Sequence, residues 1–108
     1  MKKWTTAALI LFASTVTAAE NDANSMLLMM SDAEVAKELG RNLSANGKSC
    51  RATDTFYMGD DSDNAAYWSV ACSNGKEYIV QIDTRAKVKI MSCSTAAALS
   101  ISCWKKLD

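Results

Sequence analysis

The chain has 108 residues, of which twelve are basic and twelve acidic, so its formal net charge is zero. This length fits one small domain, and the balanced charge lacks the basic excess that is typical of a nucleic-acid-binding protein. The sequence contains no histidine, which removes the commonest general base and the commonest neutral metal ligand. Ser-His and Cys-His catalysis are therefore excluded. We expect a protein that is not an enzyme, with no catalytic residues, no metal site and no cofactor.

The first nineteen residues have the layout of a secretory signal peptide. A basic start (residues 1–3) is followed by a mostly apolar, uncharged stretch (residues 4–16) and by the small residues Ala18 and Ala19. The apolar stretch is shorter than the ~20 residues that a membrane-spanning helix needs. We predict a signal peptide over residues 1–19, with cleavage after Ala18 or after Ala19. Cleavage removes Lys2 and Lys3, which leaves a slightly acidic periplasmic or secreted protein with no membrane attachment.

The predicted mature chain begins with a flexible N-terminus over residues 20–30, followed by a single small domain over residues 31–108. Ser31 and Glu34 form a capping box that predicts the start of a helix. The apolar residues that recur every four positions along this helix are Val35, Leu39 and Leu43. The helix is predicted to end at Asn46-Gly47, because glycine readily adopts the left-handed cap conformation.

Four strands are predicted after this helix, within residues 49–58, 67–72, 77–83 and 87–91, and a short helix is capped by Ser94-Thr95. Asn74-Gly75 is a strong hairpin signal, and a two-residue type I′ turn there would pair Val70 with Ile79. The fold class is therefore α+β: an N-terminal helix packed on a four-stranded antiparallel meander with a short C-terminal helix. Both faces of the sheet are partly apolar in this register. Either both are covered, or one is a binding surface.

The four cysteines, at positions 50, 72, 93 and 103, predict a disulfide framework, because an even number in a short exported chain is typical of one. No Cys-x-x-Cys pair is present, which argues against a thioredoxin-type redox motif or a zinc ribbon. A hairpin centred near Asp61 would place Cys50 opposite Cys72, and Cys93 and Cys103 bracket the last helix. We predict the pairs Cys50–Cys72 and Cys93–Cys103, with the other two pairings as alternatives.

Two groups of side chains could bind a metal, and each has a simpler explanation. The oxygen-rich turn of Asp60, Asp61, Asp63 and Asn64 could hold calcium, but it lacks the spacing and the closing glutamate of a calcium loop. The thioethers of Met26, Met29 and Met30 could bind cuprous copper. A solvated turn and core-filling methionines are the favoured interpretations.

Aromatic residues on the predicted sheet offer a recognition surface, since tyrosine and tryptophan are favoured in protein interfaces. The candidate partner-binding residues are Tyr57, Tyr67, Trp68 and Tyr78. They would act on whichever face of the sheet the helix leaves uncovered.

Three parts of the chain carry a resemblance. They are Ala36-Lys37-Glu38-Leu39, the segment 46–50 that ends in Cys50, and the segment 67–80 (Tyr-Trp-Ser-Val-Ala-Cys-Ser-Asn-Gly-Lys-Glu-Tyr-Ile-Val), followed by Cys93 and Cys103. Over residues 36–104 the chain resembles a group of small exported proteobacterial proteins of uncharacterised function. Its helix-plus-meander layout is similar to PepSY-like modules, which have been linked to peptidase inhibition. The resemblance implies a fold and a compartment, and no catalytic motif.

These observations predict a periplasmic protein-binding module that inhibits or assists another envelope protein. We expect a monomer or small oligomer that binds no nucleic acid. The alternatives are a small metal-handling protein, for copper or calcium, and a structural component of the envelope.

Overall fold

The computed structural model describes residues 20–107, so the predicted signal peptide and Asp108 lie outside the described residues. The elements in chain order are α1 (Asp22–Leu28), α2 (Asp32–Ala45), β1 (Ala52–Asp60), β2 (Ala66–Cys72), β3 (Glu77–Ile82), β4 (Val88–Ser92) and α3 (Cys93–Ala98). The strands form one antiparallel sheet in the order β1-β2-β3-β4. The predicted α+β fold class is confirmed.

Helix α2 begins and ends where its sequence predicts. The Ser31 hydroxyl accepts a hydrogen bond from the Glu34 N–H (3.2 Å), and the Glu34 carboxylate accepts one from the Ser31 N–H (3.0 Å). Val35, Leu39 and Leu43 are buried against the sheet. Asn46 is the C-cap and Gly47 follows with φ +80°.

The segment predicted to be a flexible N-terminus instead contains helix α1, so that prediction is wrong. Asn21 caps the helix and its Nδ2 donates to the carbonyls of Asn64 (2.9 Å) and Ile82 (2.8 Å). Asn24 is also buried, and its Oδ1 accepts a hydrogen bond from Trp68 Nε1 at 2.7 Å. The polar residues that resembled a flexible tail therefore form hydrogen bonds with buried polar groups. Without such partners, burying those groups would destabilise the fold.

Both faces of the sheet are covered, which decides between the two alternatives left by the sequence. One face packs against α1 and α2 and includes Trp68, Val70, Tyr78 and Val80. The opposite face packs against α3 and the residues that follow it, which we call the C-terminal segment (residues 100–107). This second cluster buries Ile79.

The register of the β2–β3 hairpin differs by one residue from the predicted register. The Cys72 N–H donates to the Lys76 carbonyl (2.9 Å), so the loop has three residues and Gly75 takes φ +86°. Val70 consequently pairs with Tyr78 and not with Ile79. Because side chains alternate across a strand, this shift places Tyr78 and Ile79 on the faces opposite to those predicted relative to Val70.

Strand β1 is not a regularly alternating strand. Its pairing with β2 shifts between Ala52 and Asp54 and again between Tyr57 and Gly59. Each extra residue is a bulge that moves the following side chains to the other face. Ala52 therefore packs with the α1–α2 face, whereas Phe56 packs with the α3 face.

The predicted disulfide pairing is confirmed. Cys50 is bonded to Cys72 and Cys93 to Cys103, with Cα–Cα distances of 5.1 and 5.9 Å. The first bond joins the residues before β1 to the end of β2. The second joins the start of α3 to the C-terminal segment.

Candidate functional site

The four predicted partner-binding aromatics do not form one exposed surface. Trp68 and Tyr78 are only 5% and 8% exposed, in the core beneath α1 and α2. Tyr57 is half-buried beside Trp68, with ring centroids 5.0 Å apart. Tyr67 lies on the opposite face of the sheet. These residues stabilise the two cores, and a surface made of all four is absent from this fold.

The hydroxyl groups of the two half-buried tyrosines bond to carboxylates. Tyr57 donates to Asp60 and accepts a hydrogen bond from Asn24 Nδ2 (3.2 Å). Burial, followed by the hydrogen bond to Asp60, raises the pKa of Tyr57 to about 12. Burial, followed by the hydrogen bond to Asp61, raises the pKa of Tyr67 to about 12 as well. Both phenols therefore stay neutral at ordinary pH.

The acidic turn uses its carboxylates internally. Asp61 Oδ1 accepts hydrogen bonds from the N–H groups of Asp63 (2.8 Å) and Ala65 (3.1 Å), and its Oδ2 accepts one from the Tyr67 hydroxyl (2.9 Å). Burial raises the pKa of Asp61, but these hydrogen bonds together outweigh it, and the net pKa is lowered. Within residues 20–107 no group of three or more Asp, Glu or Cys side chains is arranged to hold a metal ion.

The three N-terminal methionines occupy different surroundings. Met26 and Met30 line a cavity of about 320 Å³ between α1, α2 and the end of the sheet. Met29 is 87% exposed and is not part of that lining. Met26 is 62% exposed, so neither it nor Met29 fills the core as expected, and copper binding by these thioethers stays an untested alternative.

A groove lies between α2 and the start of β1. Its volume is about 770 Å³. We call it the α2–β1 groove. The residues that form its walls are Ala33, Ala36, Gly40 and Ser44 of α2, and Cys50, Ala52 and Thr53 of the facing chain. Its charged lining residues are Lys37, Arg41 and Arg51.

Small side chains on α2 create this groove. Ala33, Ala36, Gly40 and Ser44 recur at intervals of three and four residues, so they lie along one side of the helix. Gly40 packs against the start of the strand: a Cβ placed on it would sit 3.4 Å from both the N and the Cβ of Ala52. The helix therefore approaches the start of β1 closely at Gly40.

The outer edge of β1 carries backbone groups that no other strand uses. In an antiparallel pair, residues alternate between those whose N–H and C=O face the partner and those whose groups face away. The Ser73 N–H donates to the Arg51 carbonyl (2.9 Å), which makes Ala52 and Cys72 a non-hydrogen-bonded pair. The N–H and C=O of Ala52 therefore point away from β2, towards the α2–β1 groove.

The same alternation applies further along β1. On β2, Cys72, Val70 and Trp68 direct their backbone groups to β3, so their β1 partners Ala52, Thr55 and Tyr57 direct theirs outward. Among the described residues, no backbone hydrogen bond from outside the β1–β2 ladder reaches residues 52–57. We call the outer side of these residues the open edge.

The C-terminal segment covers the rest of that strand. The Leu107 N–H donates to the Met58 carbonyl at 2.9 Å. Lys106 Nζ lies 4.9 Å from the centroid of the Tyr57 ring and 5.6 Å from that of Phe56. The outward backbone groups of β1 therefore begin at Ala52, which lines the α2–β1 groove, and end where the C-terminal segment meets the strand.

The charges along the groove are basic. Arg41 is paired with Glu38 at 3.3 Å on the exposed side of α2. Lys37 and Arg51 make no ion pair with any described residue. The sequence offered one signal for this site, the stripe of small residues on α2, but only the fold shows that the stripe faces a strand edge.

Searches against protein-family models, curated proteins and solved structures found no match to this chain. No helix within residues 20–107 has the length and apolar character needed to cross a bilayer.

Proposed function

We propose that this chain is an exported, non-enzymatic protein-binding module that inhibits or assists an envelope protein, and that it binds through the α2–β1 groove. The open edge beside the groove carries this proposal. Unpaired strand edges attract another chain, and proteins usually block those they do not use. Here the C-terminal segment bonds to the Met58 carbonyl, while among the described residues no backbone hydrogen bond from outside the β1–β2 ladder reaches residues 52–57.

The compartment in this proposal is supported by the cysteines. The four described cysteines are paired in two disulfides, and such bonds persist in oxidising compartments such as the periplasm or the extracellular medium. A periplasmic or secreted location, following removal of residues 1–19, fits this chemistry. The resemblance to small exported proteobacterial proteins is consistent with it.

The packing of the sheet also favours the groove over a flat sheet surface. Helices α1 and α2 cover one face, while α3 and the C-terminal segment cover the other. A partner therefore meets helix surfaces, loops or strand edges. Of these, the open edge combines backbone donors and acceptors with a concave wall, which is the arrangement used in recognition by strand addition.

Site-specific photo-crosslinking in cells that produce the protein tests the proposal. The photoreactive amino acid replaces Ser44, an exposed residue of the α2–β1 groove, and in a control it replaces Ser62, an exposed residue of the acidic turn. We expect a covalent adduct with one discrete protein from position 44 and none from position 62. The purified partner should then bind the unmodified protein in solution. Absence of an adduct at position 44, or equal adducts at both positions, would contradict the proposal.

A further inference from the structure

We infer that the segment bound in the α2–β1 groove is an extended, acidic stretch of polypeptide that adds to the open edge as a fifth strand. This inference rests on the proposed function and specifies the chemistry of the partner. Three observations carry it: the direction of the backbone groups, the dimensions of the groove and the sign of its charges.

The backbone groups specify an extended ligand. The N–H and C=O of Ala52 and Thr55 point outward from the sheet. A chain in the β conformation supplies complementary groups at alternate residues, and main-chain hydrogen bonds of this kind provide affinity with little dependence on sequence. A helical ligand has already used its backbone groups internally and cannot make these bonds.

The length of the groove fits a short segment. From Ala33 to Ser44, helix α2 rises by about 16 Å, at about 1.5 Å per residue. An extended strand covers this distance with about five residues, at about 3.3 Å each. The small side chains of α2 leave room for alternate side chains of such a strand. From Phe56 to Met58, Lys106 and Leu107 of the C-terminal segment end the available edge.

The charges specify an acidic ligand. Lys37 and Arg51 lie on the two walls of the groove, one on α2 and one just before β1. The ionisable side chains that line the groove are Lys37, Arg41 and Arg51, and all three are basic. A bound carboxylate would find cations on both sides, whereas a bound lysine or arginine would be repelled.

The first test uses a fluorescent peptide of about eight residues, in which glutamate alternates with threonine and valine, and follows its binding by fluorescence anisotropy. Replacing every glutamate of the peptide by glutamine should weaken binding at least about tenfold, and raising the salt concentration should also weaken it.

Substitutions in the protein test the same charges. The paired substitution Lys37→Glu and Arg51→Glu should weaken binding at least about tenfold. The matched control, Lys87→Glu with Lys89→Glu near β4, makes the same change of net charge and should alter binding less than about twofold. Equal effects of the two pairs, or equal binding of the glutamine peptide, would overturn the acidic specificity.

The second test addresses strand addition. Methyl groups are placed on the peptide nitrogens at odd positions in one peptide and at even positions in another. Only one set of amides faces an antiparallel or parallel partner strand, so one methylated peptide should lose binding and the other should retain it. Equal binding of the two methylated peptides would overturn strand addition.

A variant of the protein gives an independent measure. Gly40→Ala places a methyl group 3.4 Å from the Ala52 nitrogen, in ordinary van der Waals contact, and so takes up space beside that nitrogen without crowding the fold. It should weaken peptide binding while the melting temperature does not fall. Unchanged binding by this variant would contradict the use of the Ala52 N–H.

Failure of this inference can be told apart from failure of the proposed function. If position 44 crosslinks to a partner but no acidic peptide binds, the partner uses the groove in another way and the inference is wrong. If neither crosslinking nor peptide binding occurs, both the inference and the proposed function are wrong.

Discussion

The two edges of the sheet are protected in different ways. Strand β4 has five residues, and the exposed Lys87 and Lys89 lie immediately before it and within it. Lysines on an edge strand oppose the approach of another sheet. Strand β1 has nine residues and contains no lysine; bulges interrupt it, and the C-terminal segment covers its second half. The comparison indicates that lysines protect the β4 edge from another strand, whereas the C-terminal segment protects the β1 edge only beyond the α2–β1 groove.

The largest effect should come from the disulfides that fix the two parts of β1. Replacing Cys50 and Cys72 with alanine releases the start of β1, and replacing Cys93 and Cys103 releases the C-terminal segment. Each pair should lower the free energy of unfolding by about 3 kcal/mol. The sequence separations are 22 and 10, so the first loss should exceed the second by about 0.7 kcal/mol on the chain-entropy model. Urea unfolding of the two double variants measures both values, and a larger loss from the Cys93–Cys103 pair would contradict this ranking.

A second prediction concerns the helix α1 that packs behind Tyr57 of β1. Asn24→Ala removes the acceptor for the buried Trp68 N–H, which should cost about 2 kcal/mol, since an unsatisfied buried donor costs about 1–3 kcal/mol. The control Ser25→Ala, an exposed position of the same helix, should change stability by less than about 0.5 kcal/mol. Chemical unfolding followed by tryptophan fluorescence compares the two.

A double variant separates the hydrogen bond from general packing. Adding Trp68→Phe to Asn24→Ala removes the unsatisfied donor, so the combined loss should be smaller than the sum of the single losses. Strict additivity would show that the Asn24–Trp68 hydrogen bond does not account for the cost.

The fold was predictable wherever a local signal determined it. The Ser31–Glu34 capping box, the end of α2 at Gly47 and the disulfide pairs depend on short-range chemistry or on the strand order. The pairing register after Asn74-Gly75 was not predictable from the sequence. These two residues fit a two-residue turn equally well as a three-residue loop in which Gly75 is left-handed. One inserted residue then exchanged the faces of Tyr78 and Ile79.

The other differences arise from tertiary contacts. In the sequence, Asn21 and Asn24 look like part of a polar tail. In the structure, their side-chain amides bond to Ile82 and Trp68 of the sheet. The α2–β1 groove depends on two elements meeting, and neither element alone predicts it. The final helix is capped by Ser92, whose hydroxyl accepts a hydrogen bond from the Thr95 N–H (3.1 Å), and not by the predicted Ser94-Thr95 pair. The sequence did not indicate Ser92 as a helix cap because this residue is also the last one of strand β4.

A smaller effect is expected where α2 meets the open edge. A glycine inside a helix is less favourable than alanine by about 0.5–1 kcal/mol, and a methyl group on Gly40 fits at ordinary contact distance. Gly40→Ala should therefore raise the free energy of unfolding by up to about that amount. Denaturant unfolding measures it. A loss of stability would show that α2 cannot accommodate a methyl group against Ala52.

The smallest effects should appear as pH dependence at the covered end of β1. The lowered pKa of Asp61 contributes stability that is present above its unfolded pKa, near about 4, and is lost as the pH falls through the folded value. The raised pKa values of Tyr57 and Tyr67 act on the alkaline side. Their contribution is present below about pH 10 and is lost as the pH rises towards about 12.

Melting temperatures measured from pH 2 to 12 should show both declines. Tyr67→Phe should reduce the alkaline decline, and Asp61→Asn should reduce the acid decline. A flat profile above pH 10 would contradict the pKa assigned to the tyrosines.

Amide hydrogen exchange followed by NMR, with and without the acidic peptide, tests the central claim most directly. In the free protein, the outward amides of Ala52 and Thr55 on β1 and of Ile90 on β4 should exchange rapidly, because none bonds to a neighbouring strand. The peptide should slow exchange at Ala52 and Thr55 and leave Ile90 unchanged. Protection at Ile90 alone, or no added protection at Ala52 and Thr55 with saturating peptide, would contradict strand addition at the α2–β1 groove.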